Sequence, residues 1–521
     1  MTQFVAPAID WAALTPTVII FAAAVLGVIV ETFVPRPARR AVQVALALVA
    51  VAGALVAVVW RWTVVQEGGP REVVAGAVVE DGPALAAQAV LLVVAFVALL
   101  VIADRTETME GAFVASGATR PGTEEEEEAT KAGLFQGEVF PLTLFSVLGM
   151  MVFCAAADLL TLFVALEVLS LPLYILSGLA RRRRLLSQEA SLKYFLLGAL
   201  SSGLFLFGIV LLYGYAGSFR FAAIADAVTA ASGPDVILLG GVGLVLVGLL
   251  FKVGAAPFHA WTPDVYQGAP TPVTGFMAAA TKLAAFAAML RFMYVVIPGL
   301  QWDLAPALWT VIALTMLVGT VLGIVQGNVK RMLAYSSIAH AGFVLLGVVA
   351  LQQAGISSVL FYLLAYGFAT VGAFAVVTLV RETDPDGNIT AEANELTQWA
   401  GLGKRSPLLA ASMLVFLLSF AGIPLTAGFM GKFTVFTAAV QGGLGPLVVL
   451  AVLASAATAF FYVRLIVLMY FTAPDGDTTV AVESEGMTTV AIAVSVVATL
   501  ALGLFPGPVL ETLASASTYL P

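Results

Sequence analysis

Charge is scarce in this chain. Only 11% of its 521 residues are charged and 61% are apolar, whereas a soluble domain carries about 25% charged residues. That balance excludes a soluble globular fold, and a mean hydropathy of +1.02 points to a polytopic membrane protein. Cysteine is almost missing: a lone Cys154 excludes an intrachain disulfide and any cysteine-ligated zinc or iron–sulfur centre. Histidine occurs twice, at 259 and 340. A haem between them is disfavoured, because their spans are three apart and no further ligand pair appears. The net charge of −8 is spread over loops and predicts no nucleic-acid partner. The longest loops, 104–137 and 381–406, run to about thirty residues, so no soluble domain is expected.

What is abundant is apolar runs. Fourteen of about 20 residues, enough to cross a bilayer, fall near 15–34, 41–62, 84–103, 138–157, 158–180, 189–215, 234–267, 271–297, 304–326, 330–351, 356–380, 407–439, 444–471 and 486–510. The expected fold is an all-α polytopic membrane protein with about fourteen transmembrane helices. No basic residue precedes the first run and Asp10 lies before it, so it is read as a span and not a cleaved signal. With the N-terminus outside, the inside loops hold 15 of the 24 Lys and Arg, including Arg181 to Arg184, and the outside loops only Arg61, Arg71 and Arg220. This positive-inside bias puts both termini outside. The Glu124–Glu128 run falls in an inside loop and reads as a solvated flexible segment, or else a docking site for a partner.

Two spans are too long and carry punctuation. The seventh holds Lys252, Gly254, Pro257 and Pro263; the twelfth holds Gly422, Pro424, Gly428, Gly431 and Lys432. Proline removes a backbone donor and clashes one turn back, so each should break into two half-helices. Interrupted spans at matching places in two halves point to an inverted-repeat transporter. The breaks are five spans apart, which makes spans 4–8 and 9–13 two five-helix repeats entering from opposite sides. The expected organisation is an N-terminal segment 1–137, a first repeat 138–297, a second 298–471 and a C-terminal helix 472–521.

Lys193, Lys252, Lys282, Lys432 and Glu167 stand within these spans. A charge at the bilayer centre costs roughly 2.5–3.5 kcal/mol on insertion scales, so such residues face the bundle interior and mark ion paths. Glu167 is either a neutral acid bonded to a carbonyl or the partner of a lysine on another span. An opposite charge favours the ionised amine and burial disfavours it, so a movable Glu–Lys contact can make a lysine take and release a proton. Lys252 lies beside a break, where exposed backbone lines a watery cavity; snorkelling is the bland alternative. His259, two turns on, is a satisfied core histidine or a relay. Lys282 and His340 sit centrally, and Lys432 is the exit-side candidate. Lys193 lies near its span's end and is either a relay or a snorkelling anchor. Arg291 and Arg464 lie closer to span ends and read as structural or interfacial.

At these motifs the sequence resembles the antiporter-like membrane subunits of respiratory complex I, the proton-pumping NADH:quinone oxidoreductase. The similarity covers essentially the whole chain. It is most specific from Lys252 through Met277 (KVGAAPFHAWTPDVYQGAPTPVTGFM), with support from Glu167 to Tyr174 and from Lys330 to His340. The resemblance implies that Glu167 and Lys193 are paired charges on spans 5 and 6. It makes Lys252, with His259 beside it, the pumping lysine, Lys282 the central one and Lys432 the exit lysine. Lys432 favours the two branches with lysine there over a sibling with glutamate, and an end after span 14 favours the branch without extra spans and a long lateral helix. The 104–137 loop is longer and more acidic than that pattern.

The implied function is proton translocation in a bacterial plasma membrane, coupled to quinone reduction elsewhere. The implied partners are a neighbouring antiporter-like subunit, small helical subunits and the lipid bilayer. NADH, FMN, iron–sulfur clusters and quinone would lie on partner subunits, with no cofactor on this chain. The alternatives are a subunit of a multisubunit cation/proton antiporter or membrane-bound hydrogenase, and a passive spacer.

Overall fold

The computed structural model describes residues 9–105, 111–117, 119–120, 123–131, 137–231, 233–383, 386, 389–474 and 479–520. Twelve helices among them are long and apolar enough to cross a membrane. Spans 1 to 3 are Trp11–Phe33, Arg36–Gly68 and Gly82–Ala103. Spans 5 to 8 are Leu159–Ser177, Arg184–Ala216, Asp235–Val253 and Thr271–Val295. Spans 9 to 11 are Pro298–Ile324, Val329–Val349 and Gln353–Leu379, and spans 13 and 14 are Gly445–Phe471 and Met487–Leu504. Two shorter apolar helices, Val139–Ala155 and Pro407–Ala421, supply span 4 and the first half of span 12. Helices thus stand at all fourteen expected spans, in order.

Their connections gather at two opposite ends. At the end read as inside, Arg40 meets Glu485 and Arg183 meets Glu382, while Asn328 bridges to Glu395 and Phe113 to Ala180. At the other end Val78 bridges to Ala156 and Asp158 to Arg220, and Tyr294 donates to the Gln352 carbonyl. The helical fold is as expected, and the strands among the described residues are short and confined to the connections. An antiparallel hairpin, Arg71–Val73 with Val78–Glu80, lies between spans 2 and 3. Strand Val380–Thr383 pairs with Ile389–Glu392 and with Thr479–Ala481. Chain leaving a helix must pair its backbone groups elsewhere, and short ladders between adjacent connections do this.

The inside connections are also held by charge. Lys330, buried at the start of span 10, donates to the Ala269 carbonyl at 2.9 Å and to Thr271 at 3.1 Å. Glu392 accepts from Thr271. Burial would raise the Glu392 carboxyl, but Arg381 and Lys330 overcome this and hold it down at about 2. The Glu124–Glu128 run, expected as a solvated flexible segment or a docking site, lies in a helix, Glu124–Lys131, with Glu124, Glu125 and Glu128 exposed. Glutamate is a good helix former, and anions suit a helix N-terminus. Of the same loop, 106–110, 118, 121–122 and 132–136 lie outside the described residues.

Both breaks form as expected. The first half of span 7 ends at Val253, with Gly254 at φ +74°, and the chain resumes helically at Trp261–Gly268. Span 12 ends its first half at Ala421, with Gly422 at φ +80°, and resumes at Ala427–Gln441. Only glycine takes this left-handed conformation without strain. Backbone freed at depth must find partners: Thr315 accepts from the Ala256 N–H at 3.0 Å, and the Trp261 indole donates to the Phe251 carbonyl at 2.9 Å.

The two sets of five spans share detail. Asp158 caps span 5 by accepting from the Thr161 N–H, and Asn328 caps span 10 by accepting from the Arg331 N–H. Gly149 lets spans 4 and 5 touch at Leu169; Gly319 lets spans 9 and 10 touch at Ala339. Each of these four pairs is separated by 170 residues. A Cβ on Gly319 would lie 2.4 Å from the Ala339 nitrogen, a clash that only backbone movement relieves. Gly319→Ala should therefore destabilise the chain by about 1–3 kcal/mol, the range for overpacked cores. Thermal unfolding in detergent, with Gly203→Ala in open space as the control, checks this.

Candidate functional site

The most buried spans are 8, 10 and 11, and the polar side chains in the middle of the bundle project from them. Lys282 is 3% exposed. It follows a π-helical turn, Met277–Thr281, of the kind that often marks functional positions. Its ammonium donates to the Ser337 carbonyl at 2.6 Å and to the Ser337 hydroxyl, and lies 5.8 Å from the Tyr366 ring centre. One turn along span 10, His340 Nδ1 bonds the Tyr362 hydroxyl at 2.6 Å and Nε2 the Tyr462 hydroxyl at 3.2 Å. Tyr462 also bonds Ser336.

Lys432, on the second half of span 12, reaches back across the break. It donates to the Phe420 and Ala421 carbonyls at 2.7 and 3.0 Å and to Ser455 at 2.8 Å. Those carbonyls end the first half-helix, where the helix dipole favours a cation. Lys252 stands in the last turn of the first half of span 7, so it too occupies the negative end of a half-helix. It donates to Ser170 at 2.7 Å and to the Tyr194 hydroxyl at 3.3 Å. It is 4% exposed. The two break lysines thus share one electrostatic setting, reached from opposite sides of their breaks.

The remaining candidates fall elsewhere. Glu167 lies one turn before Ser170, the partner of Lys252, and accepts from Ser202. Lys193 is half-exposed and joins Glu189 at 2.7 Å and Asp264 at 2.8 Å. Among the described residues no ion pair joins Lys193 to Glu167, so the expected pairing on spans 5 and 6 is not formed. The reason is axial: Ser202, level with Glu167, is nine residues beyond Lys193, about 13 Å along a helix at 1.5 Å per residue. His259 sits half-buried on the break, and no hydrogen bond joins it to Lys252 among the described residues. Arg291 is structural, as read: it forms a fully buried pair with Asp81.

The geometry accords with the relatives. Residues 156–458 match the family described as NADH:quinone oxidoreductase/Mrp antiporter, TM. NADH-quinone oxidoreductase subunit N of Beutenbergia cavernae is 62% identical, over 99% of each chain. The chain belongs to the subunit N family of NADH-quinone oxidoreductases. In a solved structure of respiratory complex I from Thermus thermophilus, a chain covering 96% of this one and all of its own length is 34% identical, with a TM-score of 0.76. A chain of the Mrp complex from Dietzia sp. has the same fold, with a TM-score of 0.79 at 21% identity over 98% of this chain and 97% of its own.

The family match runs from before Glu167 to beyond Lys432, so all seven candidates lie inside it. Missing from the sequence reading of this subunit N family member were the hydroxyl groups between the charges: Ser170, Tyr194, Ser337, Tyr362 and Tyr462. Hydroxyls are both donors and acceptors, which is what a proton needs to pass between nitrogen groups too far apart to touch. A signal did exist for one of them, since Ser336-Ser337 precedes His340 by a single turn.

Proposed function

We propose that this chain is the proton-translocating subunit N of a bacterial NADH:quinone oxidoreductase, carrying protons through Lys252, Lys282, His340 and Lys432. The observation that carries the reading is the row Lys282, Ser337, His340 and Tyr362, buried in the most enclosed spans, with the buried Tyr462 reaching His340 from span 13. Glu167, one turn before the Ser170 partner of Lys252, modulates Lys252. Residues 138–297 and 298–471 are the two inverted repeats, one opening towards each side. The arginine-rich end faces the cytoplasm, both termini face outward, and the membrane is the bacterial plasma membrane. A neighbouring antiporter-like subunit and small helical subunits flank the chain. Flavin, iron–sulfur clusters and the NADH and quinone sites lie on partner subunits. The carrier is a proton, since lysines at successive stations would repel a metal cation.

Lys282→Met tests this. In vesicles containing the assembled complex, proton uptake through this chain should fall by about a hundredfold or more, the scale of a lost acid–base group. A passive spacer would retain full proton-to-electron stoichiometry in Lys282→Met and in Glu167→Gln. The second reading, a cation/proton antiporter subunit, is favoured by the shared fold with the Mrp chain. Co-purification separates the two: flavin and iron–sulfur partners with NADH oxidation support the oxidoreductase, and small hydrophobic partners alone support the antiporter.

A further inference from the structure

Asp264 lies on the short inner half of broken span 7, Trp261–Gly268, and its two oxygens are taken by cations from both halves of the chain. Oδ2 accepts from Lys193 of span 6 at 2.8 Å, and Oδ1 accepts from Arg331 of span 10 at 2.7 Å. Arg331 also reaches Gln267 on the same half-helix at 3.1 Å, and Gln326 beyond it at 3.3 Å. One carboxylate therefore ties span 6 of the first repeat to span 10 of the second.

Three residues before Asp264, and so on the same helix face, Trp261 stacks on Tyr194 with ring centres 4.7 Å apart and planes within 9°. Tyr194 follows Lys193 directly and is, with Ser170, a hydroxyl partner of Lys252. Adjacent residues of span 6 thus grip the half-helix twice, once by charge and once by stacking. A shift of the half-helix would move the Trp261–Tyr194 stack and with it the Lys252 contact.

We infer that Asp264 is a positioning residue: with Lys193 and Arg331 it latches the inner half of span 7 shut over Lys252, and release of the latch opens Lys252 to the inside. Lys193 is then a latch cation and not a relay. The inference rests on the proposed role of Lys252 for its meaning, but not for its test. Side chains of all three latch residues are 27–43% exposed, so solvent can compete for them, which suits a contact that must open.

The test reads access directly. Thr262, 1% exposed and within reach of Gly254, is replaced by cysteine in the assembled complex; Cys154 is buried and is replaced by serine. A small charged methanethiosulfonate reagent is added from the inside. Asp264→Asn should speed labelling of position 262 by about tenfold, the effect of ~1.4 kcal/mol. Lys193→Gln with Arg331→Gln should do the same, and Asp264→Glu should restore protection. Unchanged labelling in Asp264→Asn, with thermal stability retained, overturns the latch. So does faster labelling that Asp264→Glu fails to reverse. Labelling needs no proton transport, so a chain in which Lys252→Ala pumped normally would defeat the proposed function and leave this result readable.

Discussion

Lys252→Arg should stop proton transfer through this chain as completely as Lys252→Ala. The two substitutions separate charge from titration. Alanine removes the ammonium and leaves the Ser170 and Tyr194 hydroxyls without it. Arginine keeps a positive charge at the end of the half-helix but does not give up its proton in proteins. If Lys252 only balances the dipole or the nearby Glu167, arginine should rescue alanine. If it must take and release a proton, both fail, with a loss of about 10²–10⁴ in the transfer step. The demand is strict, because each charge moved works against about 2.3 kcal/mol per 100 mV. Proton uptake per NADH oxidised in sealed vesicles is the measurement, with NADH oxidation in uncoupled membranes as the check on assembly. Wild-type stoichiometry in Lys252→Arg would remove Lys252 from the path.

Sequence and structure agree where local chemistry decides. The breaks were legible because Gly254, Pro257, Gly422 and Pro424 interrupt runs too long for one crossing. The buried lysines were legible because a charge in an apolar run has few reasons to be there. Partnerships were not legible. Lys193 meets Asp264 71 positions away, and His340 meets Tyr462 122 positions away. Spans 8, 10 and 11 are apolar nearly all round, so periodicity does not tell which face meets which neighbour. The π-helical turn before Lys282 leaves no mark either, since Met277-Ala278-Ala279-Ala280-Thr281 contains neither glycine nor proline. Lys193 and Glu167, paired in the resemblance, do not meet because they sit at different depths on adjacent spans: Lys193 joins Asp264, and Glu167 accepts from Ser202.

Asp81→Asn should cost the chain about 3–5 kcal/mol, the cost of leaving one member of a buried ion pair alone. Asp81 is fully buried and accepts both terminal nitrogens of Arg291, at 2.8 and 2.7 Å. It also accepts from the Ala84 N–H, capping span 3, and from the Leu520 N–H near the C-terminus. The Arg291 guanidinium lies 4.7 Å from the Tyr519 ring centre. Span 8, which carries Lys282, is thereby bound to the start of span 3 and to the C-terminal segment. Asparagine is a good cap, so Asp81→Asn removes the charge and spares the cap. Arg291→Met should be comparably damaging, because it strands the carboxylate instead. Combining the two should recover stability, since replacing a whole buried pair by uncharged groups is often neutral whereas halving it is not. Thermal unfolding of the four chains in detergent forms a double-mutant cycle. A double variant less stable than either single would show that Arg291 and Asp81 contribute separately, and that the pair does not hold span 8 in place.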